Sequence, residues 1–134
     1  MIDRRPTLLV VDDKRNMVRL MAKVMQTETL VRTAESGADA LRVLSNESVN
    51  VVLCDLRMPD MDGLELLAHI RQNHPRMKVI MITAHANVQH AVRSMKSGAI
   101  DYIPKPFSTT ERITKPRRSY TVTAALLSAA GGLS

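Results

Sequence analysis

Short apolar runs alternate along this chain with stretches whose apolar residues recur every three or four positions. Three runs rich in β-branched residues occupy positions 7–11, 49–54 and 77–82, and such runs are typical of strands covered on both faces. A weaker run at 29–34 is interrupted by Arg32, and one at 100–104 is stopped by proline. We therefore expect an edge strand and a short fifth strand there.

Apolar stripes at helical spacing lie between these strands. The clearest occupy positions 17–25 and 88–95. Shorter stripes occupy 40–44 and 64–70, and the second ends before Pro75, which cannot continue a helix. We expect all four stripes to face a core.

Alternation of strands and helices with short connections predicts helices on both faces of one parallel sheet. The fold class is therefore α/β, a doubly wound five-stranded parallel sheet. No G-x-G-x-x-G turn follows the first strand, which favours the flavodoxin-like strand order 2-1-3-4-5 over a dinucleotide-binding half. We expect no nicotinamide cofactor.

Composition narrows the class of protein. The 134 residues suit one domain, 45% of them are apolar, and no apolar run is long enough for a membrane span. The first residues do not resemble a signal peptide, so we expect a cytoplasmic protein without membrane contact. Half of the net charge of +6 lies in positions 108–134, but aromatic residues are only 2%. Nucleic-acid binding by this chain alone is therefore not favoured.

Carboxylates follow two strands that should be neighbours. The first predicted strand is followed by Asp12 and Asp13, and the third by Asp55. In such a sheet, ligands bind beyond the carboxyl ends of the strands where the chain direction switches, here between the first and third strands. A solvated loop could explain any one of these residues, and Asp13 could instead cap the next helix. Three converging carboxylates, however, would repel one another without a cation, and Mg²⁺ suits oxygen ligands.

The other two strand ends add groups that suit a phosphoryl group. Thr83 and Ala84 follow the fourth strand, and Lys105 follows the fifth. A carboxylate can attack phosphorus to form an aspartyl phosphate, and cations then neutralise the phosphoryl oxygens. Taken alone, Thr83 could be an ordinary strand-end residue and Lys105 an ordinary surface lysine. Their occurrence at the same sheet edge as the carboxylates indicates a site for a phosphoryl group.

At this point the chain resembles the receiver domain of bacterial two-component response regulators, from Leu8 to Phe107. The stretches 55–63 and 91–107 look most like receivers of NtrC-type activators, which act through sigma-54 polymerase. The family signature is an acidic pair, an acceptor aspartate, a hydroxyl residue before a small one, and Lys-Pro. These positions are filled here by Asp12, Asp13, Asp55, Thr83, Ala84, Lys105 and Pro106.

The resemblance implies a phosphoacceptor role for Asp55, with the phosphoryl group coming from a histidine of a partner sensor kinase. It also implies Mg²⁺ as the cofactor, ligated by Asp13, Asp55 and the backbone carbonyl of Arg57, with Asp12 acting mostly through water. Such a protein is a signalling switch and not an enzyme with an external substrate.

The resemblance further implies how the switch works. Lys105 would pair with the phosphoryl oxygens, and Thr83 would move to hydrogen-bond to them. Tyr102 would then turn inward and change the face formed by the fourth helix and fifth strand. Ala84, being small, would leave room for the phosphodonor.

The chain departs from the family after position 107. A capping box at 108–111 could begin a fifth helix, but Pro116 would end or kink it. We divide the chain into a receiver domain at 1–107 and, at 108–134, an atypical or truncated fifth-helix region with a basic, Ala/Ser-rich tail. Either a displaced helix still packs, or the tail is unrelated to the receiver. In the second case uncovered apolar sheet surface should lead to a homodimer, domain swapping or low stability.

Three other functions compete with the phosphorylated switch. A protein-interaction module could keep the fold without phosphorylation, although the complete set of site residues argues against it. A Mg²⁺-dependent phosphohydrolase would normally need an acid where Arg57 stands. The third alternative is a nucleic-acid binder that uses the basic segment 115–118.

Overall fold

A computed structural model describes residues 5–84 and 87–104 of the chain. Its five strands form one parallel sheet with the order β2-β1-β3-β4-β5. The predicted doubly wound fold and its strand order are confirmed. The elements are β1 (Thr7–Val11), α1 (Arg15–Met25), β2 (Leu30–Ala34), α2 (Gly37–Asn46), β3 (Val51–Asp55), α3 (Gly63–Asn73), β4 (Lys78–Thr83), α4 (Val88–Lys96) and β5 (Asp101–Pro104).

Two apolar clusters lie on opposite faces of the sheet, because successive side chains of a strand point to opposite sides. In β1, Leu8 and Val10 belong to the cluster that contains residues of α1. Leu9 and Val11 belong to the cluster that contains residues of α2 and α3. Every residue of β3 is buried, as expected for a central parallel strand covered on both faces.

Local capping explains where three helices begin. Asp62 and Glu65 form a capping box at the start of α3. The side chain of Ser36 caps α2, and that of Asn87 caps α4. These contacts satisfy backbone N–H groups that have no partner inside a helix.

The first helix begins without such a cap. Its N-cap residue is Lys14, which makes no side-chain hydrogen bond to the helix. The alternative role of Asp13 as the cap of this helix is therefore wrong, because the helix starts one residue later than that role requires.

The strand boundaries differ from the predicted runs by one or two residues. Thr29 lies before β2, which begins at Leu30. The hydroxyl of Thr29 donates to the carbonyl of Met25 at the end of α1. Val49 lies outside β3, and the strand continues through Asp55. The prediction of an edge position for Arg32 is confirmed, because β2 is an edge strand and Arg32 forms an exposed ion pair with Glu47.

The orientation of α4 contradicts the prediction that its apolar stripe faces a core. Val88, Val92 and Met95 are 77%, 45% and 46% exposed, whereas Ser94 is fully buried. The carbonyl of Ser94 accepts from the backbone N–H of Ala99 on the way to β5. The Ser94 side of the helix thus faces inward, and the apolar stripe faces solvent.

The predictions for the fifth helix and the tail fall on positions 105–134, which lie outside the described residues. Among the described helices, none combines the length and the apolar character that crossing a membrane requires.

Replacing Leu66 tests the packing of α3 against the sheet. Leu66 is fully buried, whereas His69 of the same helix is exposed. We expect Leu66→Ala to lower the free energy of unfolding by about 2–5 kcal/mol, because it leaves a cavity. His69→Ala should change it by about 0.5 kcal/mol or less. Urea denaturation measures both, and equal effects would contradict the placement of this helix.

Candidate functional site

Three carboxylates meet at the carboxyl ends of β1 and β3. Asp12 and Asp13 follow β1, Asp55 ends β3, and the two strands pair directly. One oxygen from each carboxylate lies within 4.8 Å of one from each of the others. Asp12 and Asp55 are buried, and Asp13 is partly buried. The structure therefore brings together the three acidic residues singled out in the sequence.

Backbone contacts fix the position of Asp12. Its N–H donates to the carbonyl of Ala34 at 3.1 Å, which joins it to the end of β2. One oxygen of its carboxylate accepts from the N–H of Lys14 at 2.9 Å. The end of β2 thus holds the backbone of Asp12, and the N–H of Lys14 holds its carboxylate. These two contacts keep the side chain in the cluster.

The donor set fits a hard divalent cation. All three residues offer carboxylate oxygens, which Mg²⁺ prefers. The buried Oδ1 atom of Asp13 accepts no hydrogen bond from the described residues, and it lies 3.7 Å from Lys14 Nζ in a partly exposed ion pair. A buried carboxylate oxygen that accepts no hydrogen bond, beside two other carboxylates, favours binding of a cation at this position.

A cleft of about 350 Å³ opens beside these carboxylates. One wall comes from the ends of β1 and β4, and the other from the loop between β3 and α3. The lining residues are Asp13, Lys14, Asp55, Arg57, Met58, Pro59 and Ala84. Arg57, Pro59 and Ala84 are exposed, so the cleft is open to solvent beside Asp55.

The loop between β3 and α3 is closed at its base by glycine. The N–H of Gly63 donates to the carbonyl of Leu56 at 2.6 Å. A Cβ atom at Gly63 would lie 2.5 Å from the carbonyl oxygen of Asp55 and 2.9 Å from the Cα of Leu56. Only glycine allows the helix start to lie so close to the end of β3, so this close approach shapes the site.

The tip of the same loop contacts the start of α2. Asp60 accepts from the backbone N–H groups of Gly37 at 3.2 Å and Ala38 at 3.1 Å. Slight burial alone would raise the pKa of Asp60, but the hydrogen bonds from these N–H groups outweigh it and hold the pKa below its ordinary value. Asp60 is therefore a carboxylate at neutral pH.

The remaining predicted residues occupy two neighbouring strand ends. Thr83 is fully buried at the end of β4, and Ala84 is exposed beside the cleft. Tyr102 lies in β5, and its hydroxyl accepts from the backbone N–H of Asn87 at 3.3 Å. Lys105 lies outside the described residues, so its predicted role stays a prediction.

Sequence reasoning missed two residues of the site. Lys14 lines the cleft and pairs with Asp13, which its place directly after the acidic pair could have indicated. Asp60 lies in the loop between β3 and α3, and no local pattern indicates its contact with Ala38 of α2, 22 residues earlier.

The comparison with protein families agrees with this geometry. The family described as "Response regulator receiver domain" matches residues 8–116. The chain belongs to this family. The match covers the acidic cluster, the residues that line the cleft, and every strand except the first residue of β1. It extends beyond the predicted receiver boundary at 107.

A curated relative places this receiver domain among NtrC-type proteins. The DNA-binding transcriptional regulator NtrC of Escherichia coli is 38% identical over 117 residues. That match covers 87% of this chain but only 25% of NtrC. The receiver domain thus spans about a quarter of the length of this relative, and the expected resemblance to sigma-54 activators is confirmed.

Solved structures show the same fold. A CheY-like receiver domain protein from Methanospirillum hungatei has a TM-score of 0.80 at 28% identity, with 95% of this chain and 98% of that chain covered. The response regulator TrrA of Thermotoga maritima, solved in complex with Mg²⁺ and BeF, has a TM-score of 0.70 at 32% identity. That likeness covers 77% of this chain and 89% of TrrA.

Mg²⁺ should stabilise the receiver domain by relieving repulsion within the cluster. At about 100 times its dissociation constant, a ligand that binds only the folded state adds about 2.7 kcal/mol. We expect Mg²⁺ to raise the melting temperature of the wild type. Asp13→Asn should be more stable than the wild type without Mg²⁺, and it should gain less when Mg²⁺ is added.

Asp39→Asn is the matched control, because Asp39 is an acidic residue of α2 that pairs with Arg42 away from the cluster. It should keep the full Mg²⁺ response in calorimetry. Equal Mg²⁺ responses in the wild type and Asp13→Asn would contradict the cation site.

Proposed function

We propose that this chain is the phosphoacceptor domain of a two-component response regulator, and that Asp55 receives a phosphoryl group from a histidine of a sensor kinase. The observation that carries the proposal is the meeting of three carboxylates from two paired strands beside an open cleft. The family match and the likeness to NtrC support it.

Asp55 is the nucleophile of the proposed reaction. It is 2% exposed, yet it lines the cleft at the end of a central strand. A carboxylate oxygen of Asp55 forms a bond to phosphorus while the phosphorus–nitrogen bond of the phosphohistidine breaks. The imidazole nitrogen keeps the electron pair of the broken bond. Because the rigid sheet holds the carboxylate, the reaction depends on positioning more than on a strong base.

Asp12, Asp13, Asp55 and the backbone carbonyl of Arg57 would hold Mg²⁺ in this site. The ion supplies positive charge that neutralises the phosphoryl oxygens during transfer. The complex of TrrA with Mg²⁺ and BeF supports the assignment by likeness.

The end of β4 and the residue after β5 complete the proposed site. Ala84 has no side chain beyond Cβ, so it leaves the open side of the cleft accessible to the donor. Lys105 follows β5 in the sequence, and we assign it to the phosphoryl oxygens because it matches the family signature.

The proposed switch passes through Thr83 and Tyr102 to α4. Thr83 is fully buried and directly precedes Ala84, which lines the cleft. In the sheet, Thr83 pairs in register with Pro104 of β5. The hydroxyl of Tyr102 contacts the N-cap residue of α4, Asn87. A movement of Thr83 towards the phosphoryl group would make room for Tyr102, which would then release its contact with the start of α4.

The output surface would be the face formed by α4 and β5. The apolar stripe of α4 is exposed there and is available to a partner or to a second copy of the chain in a homodimer. NtrC is a DNA-binding transcriptional regulator, so we propose transcription as the controlled output and the cytoplasm as the location. The domain assists only its own phosphorylation and dephosphorylation, and it is no enzyme for an external substrate.

Phosphorylation by a small donor tests the proposal. We expect acetyl phosphate with Mg²⁺ to add one phosphoryl group to the wild type in intact mass spectrometry. Asp55→Asn should add none, because the nucleophile is lost, whereas Asp39→Asn should react as the wild type does. A sample without Mg²⁺ should react far more slowly.

No added phosphoryl group in folded wild-type protein would contradict the proposal and favour an interaction module. Addition that persists in Asp55→Asn would place the acceptor elsewhere.

A further inference from the structure

We propose that Asp60 is a positioning residue for the metal site. It ties the tip of the loop between β3 and α3 to the start of α2, and it thereby holds the backbone of Arg57 at the edge of the cleft. This inference rests on the proposed function, because it concerns the residues that would hold Mg²⁺.

The contact is specific in its geometry. Asp60 uses both carboxylate oxygens, Oδ1 for the N–H of Gly37 and Oδ2 for the N–H of Ala38. These N–H groups belong to the first turn of α2, where backbone donors lack partners and the helix dipole favours negative charge. Ser36 caps the same helix through the N–H of Asp39, so Asp60 takes different donors and does not duplicate the local cap.

The next residue adds an apolar contact at the same place. A Cβ atom at Gly37 would lie 2.3 Å from Cγ and 2.7 Å from Sδ of Met61. The side chain of Met61 therefore lies directly against the backbone of α2. Asp60 and Met61 together form a two-residue clasp, one part polar and one part apolar, between the loop and the helix.

The clasp restrains one side of the cleft, because the loop that it holds is short and is fixed at its base. Arg57, Met58 and Pro59 line the cleft and immediately precede Asp60. The hydrogen bond between Gly63 and Leu56 closes the base of the loop. With the base and the tip both held, the backbone between them has little freedom. Without Asp60 the polar part of the clasp is lost, and the tip retains only the contact of Met61.

The clasp also ties the loop to the segment that holds Asp12. The segment that leads into α2 follows Ala34, whose carbonyl accepts from the N–H of Asp12. The loop that carries Arg57 is thus tied to the same end of β2 that holds Asp12. Residues that orient ligands without touching the metal commonly affect metal affinity.

Three variants of the full chain test this role. Asp60→Ala removes both acceptors, and Asp60→Asn keeps one carbonyl oxygen without the charge. Asp39→Ala is the control, because it removes an acidic side chain from the first turn of the same helix without touching the loop. The measurements are the Mg²⁺ dissociation constant by calorimetry, amide hydrogen exchange at Gly37 and Ala38, and the rate of phosphorylation by acetyl phosphate.

We expect Asp60→Ala to weaken Mg²⁺ binding about tenfold, the lower end of the loss on removing residues that orient metal ligands. Exchange at Gly37 and Ala38 should accelerate. At saturating Mg²⁺ the phosphorylation rate should largely recover, because Asp60 touches neither the metal nor the phosphoryl group. Asp60→Asn should lie between Asp60→Ala and the wild type, and Asp39→Ala should bind Mg²⁺ as the wild type does.

If Asp60→Ala melts at a lower temperature but binds Mg²⁺ with wild-type affinity, the inference is overturned. That result would mean that Asp60 only stabilises the fold. The proposed function would survive if the wild type is still phosphorylated on Asp55. Conversely, a wild type that binds Mg²⁺ but accepts no phosphoryl group would contradict the proposed function, while weaker binding by Asp60→Ala would still support the positioning role.

Discussion

Repulsion between three carboxylates is the constraint on which this receiver domain depends. Asp12, Asp13 and Asp55 are held with oxygens within 4.8 Å of one another, and two of the three are buried. Such an arrangement raises the free energy of the folded state unless a cation is bound. The fold tolerates it because parallel pairing of β1 and β3 brings both strand ends to the same edge. The stability of the sheet therefore maintains a cluster of three carboxylates whose oxygens suit a bound cation.

The surrounding segments limit how this cluster can relax. The backbone of Asp12 is tied to β2, the lack of a side chain at Gly63 lets α3 start against Asp55, and Asp60 ties the loop to α2. Together these contacts restrain the segments that surround the cleft. A rigid wall limits how far the charged groups of the cleft must rearrange when a charged ligand binds. By contrast, α4 presents its apolar stripe to solvent, so this helix is packed less fully than the segments around the cleft.

Local pattern and chemistry predicted the sheet and the acidic cluster because both follow from sequence periodicity and from the geometry of parallel strands. Val11 and Cys54 end the apolar runs in the sequence, so the placement of Asp12 and Asp55 at one edge of the sheet followed from topology. The orientation of α4 was not predictable, because the spacing of Val88, Val92 and Met95 is equally compatible with a buried stripe and an exposed one. The contact of Asp60 with α2 escaped prediction since it joins segments distant in sequence.

A crystal structure of the chain grown with Mg²⁺ and beryllofluoride, which mimics a phosphoryl group, would test the proposed site. We expect one ion held by the side chains of Asp13 and Asp55 and by the carbonyl of Arg57, with beryllofluoride on Asp55. A cleft without an ion at saturating Mg²⁺, or beryllofluoride on a different carboxylate, would contradict the proposed phosphoacceptor site.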